Sequence, residues 1–132
     1  TMLELLVVVA IVAILSTIAD PSFMHNVRDS RRTVAHVALT RTAQNLERFF
    51  ASNGGYTTNT GSVGFAGGGD ALSDNGDYVI TIAAGAAGIG ASYVITATAA
   101  AGSMQEDDPG CTVMTLDSRG RRTPDPNTSN CW

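Results

Sequence analysis

The sequence has 132 residues and a formal net charge of −4; 44% of its residues are hydrophobic and only 15% are charged. This length suffices for one domain of ordinary size but not for two. Residues 54–132 carry three arginines against eight acids, or −5, whereas residues 1–53 carry five arginines against four acids, or +1. The acidic balance argues against bulk polyanion binding as the main task, although it leaves a local basic patch open.

An apolar segment opens the chain and contains one carboxylate near its start. Residues 5–19 carry no charge, and with their flanks they approach the roughly 20 residues that cross a bilayer. A cleavable signal peptide is the rival interpretation, but no basic residue precedes the apolar core and Asp20-Pro21 stands where small residues are expected. We therefore expect a processed chain that retains this segment. Glu4 is either functional, because an unpaired acid in a membrane segment is costly, or an acid that reaches the interface from the segment's end.

The first third of the chain predicts one long helix. Apolar side chains in its second half recur at spacings of three and four residues, which places them on one stripe. The stripe consists of Ala35, Leu39, Ala43, Leu46 and Phe50. The arginines that lie largely off the stripe are Arg31, Arg32, Arg41 and Arg48. The helix is expected to end near residues 53–55, because Asn and Gly favour a left-handed C-terminal cap.

Asp20 and Pro21 mark a fault in this helix. Proline has no N–H for the carbonyl four residues back, and its ring crowds that turn. Asp is a good N-cap residue, and Pro is favoured at the first helical position. The helix therefore either kinks at Pro21 or ends before Asp20 and restarts.

The remainder predicts a loop followed by an antiparallel meander. Residues 56–75 are rich in Gly, Thr, Ser and Asn and predict a loop. Strand-like runs follow at residues 78–83, 92–99 and 112–117, each rich in β-branched residues, and a tight turn leads into a short return strand at 121–123. A long helix followed by an antiparallel meander is an α+β arrangement.

Two cysteines, Cys111 and Cys131, lie near the end of the chain. Two thiols without a nearby His do not make a zinc site, and an export-type N-terminus favours a disulfide between them. His25 and His36 have no partner in register for metal or acid–base chemistry, so we interpret them as interface or surface groups. The sequence offers no catalytic set and predicts no enzyme, metal site or cofactor.

Arg119, Arg121 and Arg122 cluster on the turn before the last strand. A few arginines on one turn can bind phosphates, which makes DNA contact one interpretation. The alternatives are a solvated hairpin tip, or a tip that pairs with the acids at 106–108 of a neighbouring molecule. Those three consecutive acids lack the spacing of calcium ligands.

The opening run TMLELLVVVAIVAILSTIADPSF resembles the N-terminal helix of type IV pilins. Mature pilins begin with an N-methylated Phe followed by Thr, a few apolar residues and a Glu, and a Pro-containing break comes later. Thr1, Glu4 and Pro21 occupy these positions if one residue precedes Thr1. Ala13 stands where many pilins have Gly, so the helix should be harder to unwind there. The ending CTVMTLDSRGRR…CW is similar to minor and DNA-uptake pilins.

The resemblance implies a long N-terminal helix, broken near Pro21, packed on a small antiparallel sheet. Residues 1–24 would form the apolar helix of the membrane and the filament core. Residues 25–132 would form the head, with a C-terminal loop closed by the disulfide. The resemblance further implies that Glu4 and Thr1 act in filament assembly, with Glu4 meeting the N-terminal amine of a neighbour. In the filament, residues within 14–19 are expected to lose helical structure.

The function implied is that of a structural subunit of an extracellular filament, with roles in adhesion, twitching motility and DNA uptake. The alternative is a binding module rather than a structural subunit, namely a minor pilin that binds DNA through Arg119, Arg121 and Arg122. A type II secretion pseudopilin is a third, which the disulfide-closed loop disfavours. Expected partners are other copies, other pilins, the inner-membrane assembly machinery, prepilin peptidase and the membrane before assembly, with DNA left open. The expected location is the inner membrane and then the extracellular filament.

Overall fold

The computed structural model describes residues 1–17, 23–66 and 71–132, and within them a long helix accompanies an antiparallel sheet. In chain order the elements are α1 (Met2–Asn53), a 3-10 helix (Thr60–Val63), β1 (Ala71–Leu72), β2 (Tyr78–Ala84), β3 (Tyr93–Ala99), β4 (Val113–Asp117) and β5 (Arg122–Thr123). The strands lie side by side in sequence order, so the sheet is a simple meander. The predicted α+β fold is confirmed.

The first part of α1 extends away from the rest of the molecule. Residues 1–17 are all exposed. They include many large apolar side chains that are at least half exposed, namely Met2, Leu3, Leu5, Leu6, Val7, Val8, Val9, Ile11, Val12, Ile14 and Leu15. Within the described residues, no helix combines the length and hydropathy that crossing a bilayer requires.

The predicted break at Asp20 and Pro21 falls within residues 18–22, which lie outside the described residues. Just before them, two hydroxyls donate to backbone carbonyls of the helix. Ser16 Oγ lies 2.8 Å from the carbonyl oxygen of Val12, and Thr17 Oγ1 lies 2.7 Å from that of Ile14. Such bonds compete with the helical ladder.

The second part of α1 packs its apolar stripe against one face of the sheet. Ala35, Leu39 and Leu46 are fully buried, whereas Phe50 at the end of the stripe remains 37% exposed. The sheet contributes alternate residues of β2, β3 and β4, as a half-buried antiparallel sheet requires. Its register aligns Ile80, Ala97 and Met114 in one row and Ile82, Ile95 and Leu116 in the next.

The predicted element boundaries agree with the structure except in the segment after the helix. Helix α1 ends at Asn53, and Gly54 adopts the left-handed conformation with φ 73° and donates its N–H to the Phe50 carbonyl. The prediction of a loop over residues 56–75 was incomplete, because this segment contains the 3-10 helix and the strand β1. Both are very short, and β1 exists through its pairing with β2 rather than through its own composition.

Arg32 departs from the expected pattern, because it is buried although it was placed off the apolar stripe. Its guanidinium forms a two-pronged pair with the fully buried Asp108, with Nε–Oδ2 and Nη2–Oδ1 distances of 2.6 and 2.5 Å. The Nη1 group donates to Asp29 at 2.7 Å and to the Asn130 carbonyl at 3.0 Å. The hydrogen bond to Asp108 outweighs burial and raises the pKa of Arg32. Arg32 therefore connects the helix to two segments, the loop between β3 and β4 through Asp108 and the C-terminal loop through the Asn130 carbonyl.

The C-terminal loop is also closed covalently, as predicted. Cys111 and Cys131 form a disulfide with their Cα atoms 5.5 Å apart. Closing a loop of this size stabilises a protein by about 3 kcal/mol in the chain-entropy model. Tyr78 lies beneath the bridge and donates from its hydroxyl to the Cys111 carbonyl at 3.3 Å.

Replacing Asp108 with Asn should lower the free energy of unfolding by about 3 kcal/mol or more, because a buried guanidinium loses its counter-charge. The matched control is Asp74→Asn, since Asp74 pairs with Arg41 at 3.0 Å while both side chains are roughly half exposed. Exposed pairs contribute at most about 1 kcal/mol. Urea unfolding followed by circular dichroism measures both variants, and equal losses would contradict the role given to the buried pair.

Candidate functional site

The first candidate site lies at the start of α1, where Thr1 and Glu4 bond reciprocally. The Glu4 backbone N–H donates to Thr1 Oγ1 at 3.3 Å, and the Glu4 carboxylate accepts from the Thr1 nitrogen at 3.2 Å. Such a capping box satisfies donors that the helical ladder leaves unpaired. Both side chains are largely exposed, at 86% and 79%. In a single molecule, the Glu4 carboxylate is therefore hydrated by solvent in addition to its contact with the Thr1 nitrogen.

The second candidate site is the turn between β4 and β5, which presents the predicted arginine cluster. Asp117 organises this turn by accepting the backbone N–H groups of Arg119 and Arg121, each at 2.9 Å. Arg121 adds an Nε bond to the same carboxylate at 2.6 Å. Burial pushes the pKa of Asp117 upward, but these hydrogen bonds prevail and lower it. Asp117 was not among the predicted site residues, although an Asp at the start of a Gly-containing turn is a readable signal.

The three arginines share one turn but have different environments. The Arg121 side chain is 73% exposed despite its pair with Asp117. Arg119 is exposed and has no carboxylate partner among the described residues. Arg122 is exposed and lies over an indole ring, with its guanidinium carbon 5.1 Å from the Trp132 ring centre. All three therefore keep N–H donors for an external anion.

A shallow cavity of about 640 Å³ lies beside this turn on the outer side of the sheet. Its lining includes Val94, Thr115, Asp117, Arg121, Arg122 and Pro126. The opposite charges in this lining leave it mixed rather than uniformly basic. The predicted pairing of this turn with the acids at 106–108 of a neighbouring molecule loses one of its three acids. Asp108 is fully buried against Arg32 and is not available to a neighbour.

His36 proves to be more than a surface group. Its ring stacks on Trp132 with the ring centres 4.8 Å apart and the planes 10° from parallel. Its Nε2–H donates to the Cys131 carbonyl at 2.5 Å. No sequence signal links the helix to the last two residues of the chain, so this contact was missed. Among the described residues, no group of His, Cys, Asp and Glu is placed to hold a metal ion.

Comparison with known proteins agrees with this architecture. Residues 21–115 match the family described as "Type IV minor pilin ComP, DNA uptake sequence receptor". The chain belongs to this family. The pilin is also similar to a solved structure, a type IV pilin from Shewanella oneidensis, with 25% identity and a TM-score of 0.54 over 80% of this chain and 97% of the other. A comparison with curated protein sequences returned no match.

Membership of this family supports the resemblance to type IV pilins independently, because that resemblance rests mainly on the first 23 residues and the family match covers residues 21–115. The matched span begins after Glu4 and ends before the turn that carries Arg119, so neither candidate site lies within it. The family and its fold are structural and non-enzymatic. Type IV pilins assemble with one another, so membership implies a place in an extracellular pilus filament.

The His36 stack should make the pilin less stable as the pH falls. Burial, with Arg122 and Arg32 nearby, lowers the pKa of His36 below its ordinary value of 6.5. Protonation therefore favours the unfolded chain, and the stabilisation present above about pH 6.5 is lost as the pH falls through the lower folded pKa.

Thermal unfolding of the full chain in detergent, measured between about pH 7.5 and 5, tests this effect. The wild type should lose melting temperature across this window, and His36→Gln should lose less. His25→Gln is the control, because His25 is exposed and should leave the wild-type slope intact. Equal slopes for His36→Gln and the wild type would contradict the assignment.

Proposed function

We propose that the pilin polymerises through its N-terminal apolar helix into a type IV pilus. The observation that carries this proposal is the run of exposed apolar side chains over residues 1–17. Soluble monomers rarely expose an apolar patch larger than a few hundred Å². Burying one Leu, Ile or Val stabilises an assembly by about 1.5–3 kcal/mol, so covering this surface strongly favours association.

In this proposal the apolar helix of residues 1–24 has two successive environments. Before assembly it lies in the inner membrane, where prepilin peptidase and the assembly machinery act on it. In the filament it packs against the same helix of other subunits, while residues 25–132 form the head at the surface. The helix opens near Pro21 in the filament. Adhesion, twitching motility and an N-methylated residue before Thr1 belong to the same proposal.

Glu4 sets the axial register of subunits in this filament. Packed apolar helices exclude the water that serves its carboxylate in a single molecule, and an unpaired buried carboxylate is costly. The chain offers no Lys or Arg before Arg28, which is about 36 Å away along a helix rising about 1.5 Å per residue. The N-terminal amine of a neighbouring subunit is the nearest suitable cation, so a subunit out of register leaves two charges unpaired.

Glu4→Gln should reduce filament yield at least tenfold while the precursor stays in the membrane and the head stays folded, because the neighbour's buried amine loses its counter-charge, which costs about 3 kcal/mol or more. The control is Glu106→Gln, which removes an acid of the same kind from an exposed loop of the head. Sheared-pilus preparations from a strain without the wild-type copy measure the yield. A normal yield from Glu4→Gln would show that the carboxylate only reaches the interface.

DNA binding by the head is a second candidate function. It is supported by the family's description as a DNA uptake sequence receptor and by the three exposed arginines on one fixed turn. The head is acidic overall, with −5 over residues 54–132, so binding depends on this local cluster rather than on net charge. Arginine suits the task, because its planar fork of donors matches phosphate geometry.

Replacing Arg119, Arg121 and Arg122 together with Ala should weaken DNA binding and flatten its salt dependence. Each lost contact with a phosphate reduces the slope of log affinity against log salt by about 0.9 for duplex DNA. Arg48→Ala is the control, because it removes an exposed arginine near the end of α1. Fluorescence anisotropy with a labelled duplex at several salt concentrations measures the slope. A slope equal to that of the wild type would indicate that the turn is only a solvated hairpin tip.

A further inference from the structure

Three segments that are distant in sequence meet in one stack at the end of the C-terminal loop. His36 lies on α1, Arg122 lies on β5, and Trp132 directly follows Cys131. The His36 and Trp132 rings are 4.8 Å apart and nearly parallel, and the Arg122 guanidinium carbon is 5.1 Å from the indole centre. The indole therefore has an imidazole on one side and a guanidinium within cation–π distance.

The indole is held independently of Arg122. The Cys131 carbonyl accepts from His36 at 2.5 Å, and the Cys131 sulfur is bonded to Cys111. The carbonyl of Asn130 accepts from the buried Arg32 at 3.0 Å. The backbone that leads into Trp132 is thus fixed at two consecutive residues by groups on the helix.

Arg122 differs from Arg121 in what can orient its side chain. It lies on β5, a two-residue edge strand, and among the described residues it has no carboxylate partner. Arg121, in contrast, is oriented by Asp117 at 2.6 Å, which also neutralises its charge. An aromatic face orients a guanidinium while leaving its charge and its in-plane N–H donors available.

We propose that Trp132, backed by His36, is the positioning residue that fixes the Arg122 guanidinium for binding phosphate. This inference rests on the proposed DNA-binding function, because the phosphate belongs to bound DNA. Trp132 itself does not need to touch the nucleic acid. Its contribution is to hold the Arg122 guanidinium where it contacts a phosphate, so that without the indole this contact is lost.

The DNA arm of the test compares Trp132→Leu, Trp132→Phe and Arg122→Ala in the full chain in detergent. Trp132→Leu should flatten the salt slope as much as Arg122→Ala does, so that the fall in affinity between 50 and 200 mM salt becomes about 3.5-fold smaller. Combining the two changes should add nothing. Trp132→Phe keeps an aromatic face and should retain most of the wild-type slope. Adding Arg119→Ala to Trp132→Leu should flatten the salt slope further, because the Arg119 contact with phosphate does not depend on the indole.

The DNA-free arm uses the fact that Trp132 is the one tryptophan in the chain. Removing Arg122 uncovers one side of the indole, so acrylamide should quench its fluorescence more strongly in Arg122→Ala. Arg119→Ala is the control and should leave quenching unchanged. Unchanged quenching in Arg122→Ala would overturn the inference without any DNA measurement.

The two proposals fail in different ways. A flattened slope in Arg122→Ala together with a wild-type slope in Trp132→Leu would overturn the positioning role and leave DNA binding by the turn intact. A wild-type slope in the variant lacking all three arginines would overturn DNA contact at this turn, and the positioning role with it. Equal flattening in Trp132→Leu and Arg122→Ala, with no further loss in the double variant, is the supporting result.

Discussion

The buried pair between Arg32 and Asp108 is the interaction on which the arrangement of the head depends. It joins α1 to the loop between β3 and β4 through two short bonds, and the remaining donors of the same guanidinium reach Asp29 and, in the C-terminal loop, the Asn130 carbonyl. A buried charge pair adds little to stability compared with apolar packing, but losing one partner is very costly. Its value here is specificity, because it permits one placement of the loop on the helix.

The two halves of α1 meet opposite physical demands. The second half buries its stripe against the sheet and needs no other molecule. In the first half, residues 1–17 are all exposed, so packing against the described part of the chain leaves their apolar side chains largely uncovered. In the proposed filament, the free energy of association comes from this exposed apolar surface, while the head has a hydrophobic core of its own that begins at Ala35. In the proposed filament, Glu4 sets the register of the subunits rather than their affinity.

The head combines a net negative charge with a small cationic turn. Each arginine of that turn is oriented differently: Asp117 holds the backbone of Arg119 and the side chain of Arg121, and Trp132 lies beside Arg122. Asp117 neutralises the charge of Arg121, whereas among the described residues no carboxylate pairs with the side chains of Arg119 and Arg122, which keep their positive charge. A surface of this kind favours selective contact with phosphates over general attraction to polyanions.

The sequence alone determined the elements and their order, because each rests on local chemistry: the stripe from Ala35 to Leu46, the Asn53-Gly54 end of the helix, and the β-branched runs of β2, β3 and β4. The disulfide was likewise predictable, because two cysteines in a chain with an export-type N-terminus favour a bond between them. Only the tertiary structure decided that β1 exists, that Arg32 is buried, and that His36 stacks on Trp132. Arg32 and Asp108 are 76 residues apart, and His36 and Cys131 are 95 apart. No periodicity or motif couples such positions, because their partners are chosen when the helix, the sheet and the disulfide-closed loop pack together.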